Sequence, residues 1–123
     1  MTINEAINKL RDIKPTQFDN QTLVGWLSEV EQKIFQENIR WHEGTSEIPP
    51  WPYDPEQDMD TALLIPEPYS SVYLRYLEAQ VDYYSGEYVR YANSMTMYNV
   101  ALSEYVDWYN RSHMPKQDNY IRI

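Results

Sequence analysis

Apolar and aromatic residues recur at helical spacing through the second half of the chain. One stripe alternates steps of three and four residues without a slip. It runs through Leu74, Leu77, Val81, Tyr84, Tyr88, Tyr91, Met95, Tyr98, Leu102, Tyr105 and Tyr109. This alternation is typical of an amphipathic helix and not of a strand. We therefore predict a helical stretch over residues 69–113, with Ser70 as N-cap and Pro115 beyond its end.

A straight helix of that length would extend about 64 Å. A compact chain of this size has a radius of gyration of only about 14 Å. The stretch must therefore break or project, and the candidate positions are Ser85-Gly86 and Asn93-Ser94. Because the stripe keeps its phase across both, we expect a kink and not a full reversal at Gly86, and we place the break at Asn93-Ser94.

A second row of tyrosines accompanies the first half of this stretch. Tyr69, Tyr73, Tyr76 and Tyr83 are offset from the main stripe and also lie at helical spacing. Two interpretations remain open: a central helix packed on both sides by its own chain, or a helix with one face against another subunit. The candidate subunit interface consists of these four residues with Trp51 and Tyr53.

Two shorter amphipathic patterns precede this stretch. Thr2 and Glu5 form a capping box ahead of Ile3, Ile7, Leu10 and Ile13, which predicts a short helix ending before Pro15. Asp19 or Asn20 caps a second helix over about residues 20–41. The second helix buries Leu23, Trp26, Leu27, Val30, Ile34 and Trp41. Its polar residues predict a solvated face: Glu29, Glu31, Gln32, Lys33, Gln36 and Glu37.

Residues 43–68 have a different character. Seven prolines and glycines fall here with seven acidic residues and no lysine or arginine. A regular helix cannot continue through such a segment, although one helical turn is conceivable over residues 58–64. The apolar residues Trp51, Tyr53 and Leu63 to Ile65 favour an ordered, proline-rich arm over a free linker. Residues 114–123 then form a tail, which we expect to be flexible.

These elements predict a single all-α domain over residues 1–123. It is a small bundle of about four helices: two N-terminal helices in residues 1–42, the arm at 43–68, the tyrosine-rich stretch at 69–113, and the tail. The net charge of −9 argues against a phosphate-binding surface and hence against specific nucleic-acid binding. No cysteine is present and no signal or membrane-spanning pattern occurs. We expect a soluble protein that is not secreted.

Motifs for chemistry are scarce. The chain lacks a nucleophile elbow and a phosphate-binding glycine loop, and the spacing of His42 and His113 fits helix-end capping and not metal ligation. The alternating carboxylates of Asp54 to Asp60 resemble a calcium loop only in part, because its glycine and closing glutamate are missing. We expect no catalytic residue, no metal and no cofactor. An enzyme using Glu78 and Asp82, four residues apart, is a conceivable alternative, but a solvated face beside Arg75 is the simpler interpretation.

The segments PEPYSSVYLRYLEAQVDYYSGEYVRYANSMTMYNVALSEYVDWYNRSHMP and, more weakly, WLSEVEQKIFQEN resemble small helical proteins of prophages in Gram-positive bacteria. These are similar to head-tail connector, or adaptor, subunits of tailed phages. The resemblance covers about half of the chain and is carried by a diffuse aromatic pattern. It implies a structural subunit made in the host cytoplasm and located in the virion neck. It also implies a homo-oligomeric ring that contacts the portal protein and the tail-attachment proteins, with DNA passing through its channel.

A rival from another class is a small monomeric or dimeric helical module that binds a partner helix in an aromatic groove. The two classes differ in symmetry. A ring needs two different, complementary patches on each subunit, whereas a groove-binding module needs only one.

Overall fold

The computed structural model describes residues 1–39 and 48–113. Four helices form in this part of the chain: α1 (Ile3–Ile13), α2 (Asn20–Glu37), α3 (Ser71–Tyr84) and α4 (Tyr88–Ser112). The described residues contain no strand, and their one isolated bridge pairs Thr2 with Ala62. The prediction of a small all-α bundle is therefore confirmed. Trp41, His42 and the tail at 114–123 lie outside the described residues.

The helix α1 begins as its sequence predicts. Thr2 Oγ1 accepts from the Glu5 amide at 3.1 Å, and Glu5 Oε1 accepts from the Thr2 amide at 2.8 Å. This reciprocal pair satisfies two amides that would otherwise lack partners at a helix start. The apolar face buries Ile3, Ile7 and Leu10, whereas Ile13, which we assigned to the same face, is 54% exposed.

The start of α2 is also confirmed. Asp19 Oδ1 accepts from the Thr22 amide at 2.9 Å. The connection from α1 is fixed by Arg11, whose Nη2 donates to the Phe18 carbonyl at 3.0 Å and to Asn20 Oδ1 at 2.9 Å. The helix ends at Glu37, before the end at 41 that we predicted.

The break in the tyrosine-rich stretch was placed wrongly. It lies at Ser85–Glu87, and Asn93 and Ser94 lie within α4. Gly86 has a φ of 76°, while the Gly86 amide donates to the Tyr83 carbonyl and the Glu87 amide to the Asp82 carbonyl. This is the Schellman arrangement, which needs a left-handed residue and so favours glycine.

The turn is also a full reversal, where we expected a kink. Rings of α3 and α4 face each other along the whole hairpin: Tyr83 lies 5.1 Å from Tyr91, Tyr76 lies 5.3 Å from Tyr98, and Tyr69 before α3 lies 5.0 Å from Trp108. The rings on the α3 side belong to the second tyrosine row, whereas Tyr91 and Tyr98 on α4 belong to the main stripe, so the unbroken spacing of that stripe did not reveal the reversal.

Ser70 is the N-cap residue of α3, as predicted, but it does not cap the helix in the expected way. Ser70 has right-handed helical angles and makes no capping hydrogen bond with its side chain. Its hydroxyl donates to the Glu67 carboxylate instead. The helix therefore begins at Ser71 without the side-chain cap that the sequence pattern indicated.

The described part of the arm, residues 48–68, packs along the N-terminus. The Ile3 amide donates to the Thr61 carbonyl at 3.1 Å, and the Leu63 amide donates to the Met1 carbonyl at 2.9 Å. Tyr53, Leu63 and Ile65 are buried. This agrees with an ordered arm, but no helical turn forms over residues 58–64.

Candidate functional site

A buried carboxylate lies where α2, the arm and α3 meet. Glu31 is fully buried. One oxygen, Oε1, accepts from Trp51 Nε1 at 3.1 Å and from the Tyr53 hydroxyl, and Oε2 accepts from the Leu64 amide at 2.7 Å and from the Tyr73 hydroxyl. Four donors on two oxygens match the acceptor capacity of an ionised carboxylate. We call this set the Glu31 junction.

The prediction that Glu31 is solvated is therefore wrong. Its spacing offers the signal that sequence reasoning missed, since Glu31 is four residues from both Leu27 and Phe35, which are buried. A charged residue on an apolar face needs partners that replace water. The arm and α3 supply them, and both are distant along the chain.

Burial and the nearby carboxylate act together on the tyrosines of the junction. Desolvation raises the pKa of Tyr53 well above its ordinary value, and the hydrogen bond to Glu31 adds to this. Desolvation likewise raises the pKa of Tyr73, and the charge of Glu31 reinforces it. Both effects favour the neutral phenol, which is the form that donates to the carboxylate.

A second buried carboxylate joins α1 to the α3–α4 hairpin. Asp82 is 2% exposed; its two oxygens each lie 2.7 Å from Lys14 Nζ, and Oδ2 accepts from the Ser94 hydroxyl at 2.6 Å. The prediction that Asp82 belongs to a solvated face beside Arg75 is wrong. Arg75 instead contacts Glu78 at 3.1 Å. Since Asp82 is fully engaged, it does not form an open carboxylate pair with Glu78.

The six residues of the candidate subunit interface occupy three environments. Tyr53 and Tyr73 are buried by the chain itself in the Glu31 junction, and Trp51 is half-buried beside them. Tyr69 and Tyr76 are half-buried in the seam between α3 and α4, where the Tyr76 hydroxyl donates to Glu29 at 3.0 Å. Only Tyr83 is mainly open to solvent, at 46% exposure. Contact of these residues with another subunit stays a prediction, and the geometry leaves Tyr83 as its best-placed member.

The end of the hairpin carries an exposed aromatic patch. We define the hairpin tip as Tyr83, Tyr84, Tyr88 and Val89, the last of which is 81% exposed. The patch is contiguous, because the Tyr83 ring lies 5.1 Å from that of Tyr84 and 6.1 Å from that of Tyr88. The Tyr84 ring also stacks on Trp26 of α2 at 5.5 Å, which fixes the tip against the bundle.

Sequence reasoning placed Tyr84 and Tyr88 in the buried stripe. The reversal at Gly86 leaves them at the end of the hairpin, where the contact of Tyr84 with Trp26 covers only part of their surface and both remain more than half exposed. Contiguous exposed apolar surface of this kind marks sites of protein association.

A groove opens on the outer side of the same hairpin, at the other end of α3. Its cavity volume is about 380 Å³. We call it the α3–α4 groove, and the residues that define it are Pro68, Tyr69, Arg75, Met97, Val100 and Glu104. Met97 and Val100 are 47% and 51% exposed. The groove thus combines apolar residues with a cation on α3 and an anion on α4.

The remaining candidates for chemistry are engaged locally. Asp54 Oδ1 accepts from the Glu56 amide at 2.7 Å, and Asp58 Oδ2 accepts from the Asp54 amide at 2.7 Å, so these carboxylates stabilise a turn. His113 is the C-cap residue of α4, and its ring stacks on Tyr109 at 3.9 Å. Within residues 1–39 and 48–113, no three acidic or histidine side chains converge as a metal site would require.

In comparisons with known proteins, no protein-family model, curated protein or solved structure matches this chain. None of the helices in the described part of the chain has the length and apolarity that a bilayer crossing demands. The site must therefore be interpreted from its own geometry.

Proposed function

We propose that this chain is a structural, non-catalytic subunit that assembles with copies of itself through the hairpin tip. The observation that carries the proposal is a contiguous patch of three exposed tyrosines, with the exposed Val89 next to Tyr88 in the chain. Tyrosine suits such a surface, because its large ring contributes contact area at low entropic cost and its hydroxyl tolerates water before assembly.

In its most specific form, the proposed assembly is the head-tail connector ring of a tailed phage, located in the virion neck between the portal and the tail-attachment proteins. The resemblance of residues 64–115 to such subunits supports this form. A net charge of −9 also suits a channel wall past which DNA slides, since like charges oppose binding through the phosphates.

The internal use of the two buried carboxylates supports a role without catalysis. Glu31 binds the arm and α3, while Asp82 binds Lys14 and Ser94. A general acid or base must reach its substrate, and both of these groups are enclosed by the chain's own donors.

Light scattering across a concentration series tests the proposal, with the protein alone and then mixed with a portal protein from the same genome. We expect a large closed species, at least in the presence of the portal. Val89→Asp should weaken assembly, because it places a charge in the tip. The matched control is Ile48→Asp, at a site that is 70% exposed but lies in the arm. A protein that stays monomeric in every mixture would refute the proposal.

The α3–α4 groove favours one alternative, a monomeric or dimeric module that binds a partner helix. Its apolar residues, such as Met97 and Val100, and its position between two helices suit an amphipathic helix. The scattering experiment separates the two functions. A module of this kind would stay small with the portal, and its binding would depend on Val100 and not on Val89.

A further inference from the structure

The hairpin tip and the α3–α4 groove lie on the same hairpin but cannot meet within one molecule. Val89 at the tip and Val100 in the groove are both residues of the continuous helix α4. Their separation along the helix axis is about 16 Å at 1.5 Å per residue. Any contact between the two surfaces therefore joins two different molecules.

The two surfaces have complementary shapes, a tip and a recess. The tip projects as a cap around the turn at Gly86, with Tyr84, Tyr88 and Val89 between 58% and 81% exposed. The groove is a recess of about 380 Å³ with Met97 and Val100 among its lining residues. Contact between the tip and the groove removes the apolar surface of both from water, and this removal is the main favourable term in association.

The charges around the two surfaces are complementary as well. Glu87 and Arg90 lie beside the tip, and Arg75 and Glu104 border the groove. Glu87, Arg90 and Glu104 make no ion pair with any other described residue. Nη1 of Arg75 donates to Glu78, and the other N–H groups of the guanidinium remain for a second acceptor.

We propose that the α3–α4 groove receives the hairpin tip of a second copy of this chain, with Arg90 of the tip facing Glu104 and Glu87 facing Arg75. The inference rests on the proposed assembly and names its interface. The contact is head-to-tail: each molecule inserts its tip into one neighbour and offers its groove to another. Such a heterologous contact forms a ring when the rotation closes and a filament when it does not.

The absence of native cysteines allows a direct test by disulfide cross-linking. Two single variants, Val89→Cys and Val100→Cys, are mixed under assembling conditions and oxidised. Both positions are exposed, so neither change disturbs the core. We expect a mixed dimer to form at least about tenfold faster than with the control pair Val89→Cys and Ile48→Cys, because docking raises the effective concentration of the two thiols. The double variant carrying both cysteines should give a ladder of covalent oligomers.

The outcomes separate this inference from the proposed function. If assembly occurs but each cysteine variant cross-links only with itself, the interface is symmetric and the tip-in-groove contact is refuted. If assembly occurs with no cross-link in any mixture, the contact is likewise refuted, while self-association stands. If no assembly occurs with or without the portal, the proposed function itself fails.

Charge reversal provides a second readout that does not depend on oxidation. Arg90→Glu and Glu104→Arg should each weaken association about threefold at about 0.15 M salt, as expected for one exposed ion pair. The double variant restores the opposite charges with their places exchanged, so its affinity should return toward that of the native chain. Equal or greater weakening in the double variant would show that the two residues do not face each other.

Discussion

The Glu31 junction and the hairpin tip use the same residue type for opposite purposes. In the junction, Tyr53 and Tyr73 are at most 4% exposed, and their hydroxyls donate to a buried carboxylate. At the tip, Tyr84 and Tyr88 are more than half exposed, at 58% and 65%. All the tyrosines of α3 and α4 lie at helical spacing, so periodicity does not distinguish the two groups. The difference teaches that neighbouring elements decide the environment of a tyrosine: the arm and α2 cover Tyr53 and Tyr73, whereas Tyr84 and Tyr88 lie on either side of the turn and stay exposed.

Raising the pH should cause the largest loss of stability, because it ionises tyrosines that the interior holds as neutral phenols. Desolvation raises the pKa of Tyr98 from 10.0 to about 12 and also raises those of Tyr53, Tyr73, Tyr76 and Tyr105. A group with a raised folded pKa contributes stability that is complete below its unfolded pKa and is lost as the pH rises through the folded value. We expect unfolding between about pH 10 and pH 12, followed by circular dichroism together with tyrosinate absorbance.

The control for this titration is Tyr98→Phe, which removes one ionising group from the interior. The variant should resist alkali better than the native chain, because it no longer gains a charge that favours the unfolded state. The shift of Tyr98 corresponds to at most about 2 to 3 kcal/mol, since solvent screening reduces the effect at a partly accessible ring. An identical alkaline midpoint in both proteins would contradict the role assigned to burial.

Glu31→Ala should be the most damaging single substitution in the comparison. It leaves four donors without their acceptor, two of them the buried hydroxyls of Tyr53 and Tyr73, and it opens a cavity, so we expect a loss of about 3 to 5 kcal/mol in the free energy of unfolding. Urea denaturation measures the loss. Glu37→Ala is the matched control on the exposed side of the same helix and should cost less than about 0.5 kcal/mol. Equal costs at both positions would mean that the junction contributes nothing specific.

Tyr73→Phe sharpens the comparison by removing a single oxygen from the junction. The Tyr73 hydroxyl donates to Glu31 and accepts from the Ile65 amide at 2.9 Å, so two buried groups lose a partner. We expect a cost of about 1 to 3 kcal/mol. Tyr84→Phe makes the same chemical change at the tip and should stay within about 0.5 kcal/mol of the native chain. Calorimetric melting of both variants would settle whether environment or residue type decides the cost.

Gly86→Ala tests the turn that creates the tip. An added Cβ would meet no atom within 4 Å, so the penalty comes only from the φ of 76°. We expect a loss of about 1 to 2 kcal/mol. Gly25→Ala is the control: its Cβ also meets nothing within 4 Å, but it lies inside α2. There alanine should stabilise the chain by up to about 1 kcal/mol. Changes of the same sign in thermal melts would argue against a left-handed turn at Gly86.

Local patterns in the sequence were enough for two helix starts and for the class of fold. The capping box of Thr2 and Glu5 and the Asp19 cap depend on contacts within three residues, so sequence alone predicts them. The break was placed at Asn93-Ser94 although Ser85-Gly86 was the other candidate, because the spacing of the stripe continues across Gly86 and does not distinguish a reversal from a kink. Ser70 occupies the N-cap position of α3 but makes no capping hydrogen bond, because its hydroxyl donates to the Glu67 carboxylate instead.

The candidate site was predictable only in part. Tyr83 was singled out from the sequence and lies at the tip. Tyr84 and Tyr88 were assigned to a buried stripe, but the turn interrupts that stripe and both are exposed. The groove was not foreseen, since its walls come from residues 68–75 and 97–104, which approach each other only after the chain reverses.

The sequence by itself determined that this protein is a small all-α chain with caps at Thr2 and Asp19 and with tyrosine-rich helices. These features follow from interactions between near neighbours. Only the tertiary structure decided which tyrosines are interior, that Glu31 and Asp82 are buried, and that the tip and the groove are open. Burial depends on partners that are distant along the chain. Asp82, for example, binds Ser94 and Lys14, which are 12 and 68 residues away, and no local pattern encodes that pairing.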